Sequence, residues 1–153
     1  MAPQLTESVA GASWMEHQIL QHVKAALRVT IDWKAPSVSL PRKISSVRFT
    51  LKSFKRHVER LMALEEEGGY LSAVIEQKPY LQARVDKLAG DHARLRARIR
   101  RIVPALEELN EWQEVDFDRT CEEIRAMLAD VDRHDVQEVD LLQELCSDEG
   151  GEG

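Results

Sequence analysis

A chain of 153 residues is long enough for one domain with a real core, and needs no second. With 43% hydrophobic, 31% charged and only 5% aromatic residues, it is too apolar for a disordered chain and is dominated by helix formers. A net charge of −6 gives nucleic-acid binding no electrostatic support, and no apolar stretch approaches membrane-spanning length, so neither partner is expected.

In chain order, residues 1–11 are small and polar and read as a flexible tail. No basic flank precedes an apolar stretch there, so no secretory signal is expected and the expected location is cytoplasmic. Ser13 can cap a first helix from Trp14 to Asp32, with Met15, Ile19, Leu20, Val23, Ala26, Leu27 and Ile31 on its apolar side. The segment from Trp33 to Pro41, with its prolines and serines, reads as a loop.

A second helix should open near Arg42. Its stripe of Ile44, Val47, Leu51, Phe54, Val58, Leu61 and Glu65 alternates steps of three and four. Gly68-Gly69 follows, and two glycines cost roughly 1 kcal/mol each inside a helix, which predicts a kink before further turns through Tyr70, Leu71, Val74 and Ile75. Pro79 suits the first position of a third helix. That helix carries Leu81, Val85, Leu88, His92, Leu95, Ile99, Ile102, Leu106 and Leu109, and Pro104 within it predicts a kink or a restart.

The chain should turn over Asn110 to Asp116. A fourth helix then shows Phe117, Cys121, Ile124, Leu128, Val131, His134, Glu138, Leu141, Leu142 and Leu145. Residues 147–153 form an acidic, glycine-rich tail expected to be disordered, leaving 12–146 as the domain. Cys121 and Cys146 make no disulfide framework. The predicted fold is all-α, an up-down-up-down antiparallel four-helix bundle.

The pattern breaks at Glu65, His92, His134 and Glu138, which occupy core positions of these stripes. A buried carboxylate must be neutralised, hydrogen-bonded or bound to a cation. In an antiparallel pair, residues equally far from the shared turn lie at one height, which puts these four on one level at a rise of about 1.5 Å per residue. His134 and Glu138, four apart, share a face. On the first helix, His17 falls nearer that level than His22. His57, two turns before Glu65, lies at the edge of its stripe and is a weaker candidate, as is His22. Imidazoles and carboxylates mixed on bundle helices suit iron, manganese or zinc. The absence of any Glu-x-x-His motif argues against a ferritin-type di-iron site.

On these residues the chain resembles a hemerythrin-like (HHE cation-binding) domain over nearly the whole bundle. Glu16-His17 resembles the Glu-His of that family's first helix. Leu64 to Leu71 resembles the segment after the second-helix ligand histidine, with Glu65 as the carboxylate ligand. Asp91-His92 with Leu95 resembles the third-helix ligand, and His134 to Glu144 the fourth-helix signature. The chain departs from the family at Leu61, Arg96 and Val139, where many members carry a histidine, a second histidine and an Asp or Asn. A mononuclear, dinuclear or vacant site therefore stays open.

The resemblance implies a metal-binding protein holding one or two ions of non-haem iron through His17, Glu65, His92, His134 and Glu138. Its function would be oxygen or redox sensing, or iron handling, with dioxygen a possible second ligand. The alternative is a metal-free helical scaffold or signalling partner that keeps the fold after losing the site. Peroxide or oxygen catalysis ranks below both, because no substrate pocket or proton-transfer group is evident.

Overall fold

The computed structural model describes residues 2–34, 36–67 and 70–147. Every regular element among them is helical: α1 (Ala2–Asp32), α2 (Leu40–Glu67), a short α3 (Tyr70–Gln77), a 3-10 turn (Pro79–Leu81), α4 (Gln82–Glu108) and α5 (Glu114–Ser147). Four of these helices are long. Among the described residues, none is long and apolar enough to cross a membrane.

The helix boundaries differ from the sequence reading in physically instructive ways. α1 begins at Ala2 rather than Trp14, so the segment read as a tail forms its first turns. α2 opens at Leu40, placing Pro41 in the first turn, where a missing N–H costs nothing. The kink expected at Gly68-Gly69 lies outside the described residues, although α2 ends and α3 begins on either side of it. Pro79 opens the 3-10 turn and α4 starts at Gln82. Pro104 does not interrupt α4, which continues to Glu108. The acidic tail beyond Ser147 lies outside the described residues.

Contacts between helices run in a regular order. Thr30 of α1 meets Thr50 of α2, while Glu16 meets His57 and Arg60. Arg48 of α2 donates to backbone carbonyls at the end of α4, and Glu66 meets His92 and Arg96. Between α4 and α5, Arg101 pairs with Glu123, Arg98 with Asp130, Asp91 with His134 and Arg84 with Glu144. α1 and α5 are joined through Asp32–Arg125, Lys24–Asp132 and His17–Glu138.

The core contains two separate hydrophobic clusters. The larger gathers Leu20, Leu27 and Ile31 with Ile44 to Met62 of α2, Ile99 to Leu106 of α4 and Phe117 to Val131 of α5. The smaller holds Leu71, Val74, Leu81, Val85, Leu88 and Leu141. On α4 and α5 the residues lying between these sets in sequence include His92, His134 and Glu138. The predicted α2 stripe is buried throughout, from Ile44 to Glu65.

On α1 the prediction needs correction. Met15 and Ile19 are exposed, and the inward line runs through His17, Leu20, Lys24, Leu27 and Ile31. Lys24 is only 1% exposed, and its ammonium donates to Asp132 at 2.8 Å and to Asp135 at 2.7 Å. Arg28 also reaches Asp132.

Candidate metal centre

Four helices deliver the five predicted side chains to one place. The Glu65 carboxylate from α2 lies 3.0 Å from His92 Nε2 of α4 and 3.4 Å from His17 Nε2 of α1. His17 Nε2 also lies 3.4 Å from Glu138 Oε1, and His134 Nε2 lies 3.5 Å from Glu138 Oε2. The Nε2 atoms of His92 and His134 face each other at 3.2 Å. Glu65, His92 and Glu138 are each at most 2% exposed.

Two groups of three, Glu65–His92–His134 and His17–Glu65–Glu138, each offer ligand atoms within 4.8 Å of one another. Glu65 belongs to both. His22 is on the exposed side of α1 and joins neither group. His57 turns instead to Glu16, at 3.4 Å. Leu61 is buried in the core.

The second ring nitrogens decide what the first ones can do. His92 Nδ1 lies 2.8 Å from Glu66 Oε1, and His134 Nδ1 lies 3.1 Å from Asp91 Oδ2. Arg96 grips Glu66 through two bonds of 2.9 and 2.8 Å and holds its carboxyl below the usual range. Burial favours the neutral form of Asp91, but His134 and Arg94 outweigh it and keep that acid ionised. An ionised carboxylate only accepts, so both Nδ1 atoms must donate. In the neutral rings the lone pairs then sit on the two facing Nε2 atoms, the tautomer a metal ligand needs.

Left to themselves, these groups gather protons. Burial disfavours the charged form of His17, but Glu138 and Glu65 together push it up to about 10. His134 is raised to about 9, again against burial, by Glu138 and Asp91. Burial, reinforced by Glu138, raises Glu65, whereas Glu138 is lowered despite burial by Glu65, His134 and His17.

A proton held between the two Nε2 atoms would relieve that one contact. It would leave Glu65 Oε1 and Glu138 Oε2, both buried and without a hydrogen-bond partner. Orphaned acid oxygens and facing imidazole lone pairs together fit a divalent cation, and metal binding at such a site releases the protons. No family model, no curated protein and no solved structure matches this chain. Its chemistry rests on its own side chains.

Access is visible between α4 and α5. A cleft of about 560 Å³ reaches His92 and His134 past Asp91, Leu95, Arg98 and Val131.

The sequence reading missed Glu66 and Asp91. Glu66 stands in the acidic run Glu65 to Glu67, off the inward stripe, and Asp91 stands beside His92 at a position to which helical spacing gives no role. A usable signal existed in both cases, because ligand histidines regularly give their other N–H to a carboxylate. Each acid is a chain neighbour of a ligand, but it serves a histidine on a different helix or at a distance in sequence. Glu66 follows Glu65 and orients His92, while Asp91 precedes His92 and orients His134.

Proposed function

We propose that this chain is a hemerythrin-like metal-binding protein that holds non-haem iron for oxygen or redox sensing or for iron handling. The observation that carries the reading is the meeting of three Nε2 atoms and two buried carboxylates from four helices, with Glu65 Oε1 and Glu138 Oε2 lacking any other partner. The order of the helix pairings supports the finer architecture, an up-down-up-down antiparallel bundle.

His17, His92 and His134 would supply directional nitrogen ligands, and Glu65 and Glu138 the compensating charge. Iron bound there supplies a redox-active Lewis acid. Glu66 and Asp91 hold the imidazole protons away from the ligand nitrogens, and the two apolar clusters keep bulk water from the carboxylates. The α4–α5 cleft gives a small molecule a route to the imidazole edges.

The rival reading, a metal-free scaffold, is motivated by Leu61 and Arg96 and expects the buried acids to be hydrogen-bonded to arginines or histidines, with no open pocket among them. Arg96 instead reaches Glu66 at the rim, and Glu65 Oε1 and Glu138 Oε2 make no hydrogen bond, the nearest imidazole Nε2 atoms lying at 3.4 and 3.5 Å. Metal analysis of protein purified from iron-replete cells, with melting curves before and after chelation, separates the two. Bound iron and a lower melting temperature after chelation are expected. Protein that takes up no metal and ignores chelator would leave the scaffold reading standing.

A further inference from the structure

The two groups of three share Glu65 but are not equally prepared. In the His92–His134 half, each ring is fixed from behind. His92 Nδ1 is held by Glu66, itself clamped by Arg96 through a two-bond fork, and His134 Nδ1 is held by Asp91, which Arg94 engages in turn. In the other half, no hydrogen bond among the described residues engages His17 Nδ1, so nothing selects its tautomer or ring angle from behind. The donor sets differ as well: two imidazoles and one carboxylate against one imidazole and two carboxylates.

We infer that the layer is a pair of unequal half-sites filled in order: a borderline divalent cation such as cobalt, zinc or iron enters the Glu65–His92–His134 half first, and a second enters the His17–Glu65–Glu138 half more weakly. The inference rests on the metal-binding reading and deepens it. Imidazole-rich sets suit borderline cations, whereas a carboxylate-rich set suits harder ones. Rings already locked in the ligating tautomer lose less freedom on binding. The second ion must also share Glu65 with the first and approach its charge. Arg96 stands where the related family often places a second histidine, and here it is a positioning residue acting through Glu66 on His92.

The test is a cobalt(II) titration of the full chain, followed by calorimetry and visible absorption. Two steps are expected. Arg96→Ala, Glu66→Gln and Asp91→Asn should each weaken the first step by about ten- to a hundredfold, the usual range for such outer partners. Arg96→Lys, which keeps the charge but not the fork, should recover only part of that loss. His17→Ala should abolish the second step and leave the first unchanged, with His17→Gln as a check in case the smaller side chain perturbs folding. A single step, a first step lost in the His17 variants, or a first step indifferent to Arg96→Ala overturns the ordering. No cobalt uptake at all overturns the metal-binding reading with it.

Discussion

Lys24 and His17 are seven residues apart on α1, two helical turns on one face, and both bring charge into the interior against α5. Their clusters resolve burial in opposite ways. Around Lys24 the account is closed: the ammonium donates to Asp132 and Asp135, and Arg28 completes Asp132. Around His17 it is open. Acids and imidazoles converge, two acid oxygens make no hydrogen bond, and two ring nitrogens face each other. A cluster with every group matched holds helices together, whereas one left short of positive charge is poised to take up a cation.

The sharpest way to break that comparison is to remove Lys24. Lys24→Ala strands the mostly buried Asp135 beside a new void. Truncating one member of a buried ion pair costs about 3–5 kcal/mol, so urea unfolding should show a loss in that range. The double change Lys24→Met with Asp135→Leu should recover most of it, because matched apolar groups can replace a buried pair. A small loss in Lys24→Ala would mean that the cluster is not closed as described.

Cation binding should act next in size, and only on the open cluster. At a free-metal concentration a hundredfold above Kd, linkage adds about 2.7 kcal/mol to the folded state. The increment should be the same in the wild-type chain and in the Lys24→Met, Asp135→Leu double variant, since those groups lie outside the ligand layer. Thermal melts with and without chelator measure it.

Glu65→Gln should remove that increment while scarcely changing the metal-free protein. Burial already pushes the Glu65 carboxyl towards its neutral form, so the fold gains little from its charge. Glutamine keeps the shape and can donate towards Glu138, and the net change of one hydrogen bond is about 1 kcal/mol. A metal-free Glu65→Gln protein that fails to fold would place Glu65 with Lys24, among groups the scaffold requires.

The same contrast governs what the sequence discloses. On α2 the stripe from Ile44 to Glu65 is legible to the residue, because burial there follows the steps of three and four and Glu65 simply continues them. The shared level of Glu65, His92, His134 and Glu138 is legible for a similar reason, since helical rise converts chain distance into height. Lys24 lies on the spacing of His17, Leu20, Leu27 and Ile31, yet its residue type does not disclose its burial. Composition marks lysine as a surface residue, and only its pairing with α5 makes burial affordable. Apolar identity points Met15 and Ile19 inward, but the spacing of the α1 inward line leaves both exposed. The roles of Glu66 and Asp91 depend on side-chain direction across helices, which spacing along one helix does not carry. Pro104 shows a further limit. A proline inside a pattern reads as a break, yet tertiary packing can hold the helix on both sides of it, as the burial of Ile102 and Leu106 indicates.

Asp132 offers the smallest and most discriminating effect. It shares Lys24 with Asp135 and also meets Arg28, so a simple count of contacts would rank it the more important acid. Its side chain is 45% exposed, however, against 11% for Asp135. Water and salt screen an exposed pair, which limits its worth to roughly 0.2–1 kcal/mol. Asp132→Asn should therefore cost no more than that in urea unfolding, and the cost should shrink in high salt. Asp135→Asn should cost more and respond less to salt, because the surrounding protein, not solvent, sets the field at that carboxylate. Equal losses with equal salt dependence would show that Lys24 is held by the sum of its partners and not by the buried one, and the closed cluster would then be a rim feature of the α1–α5 seam.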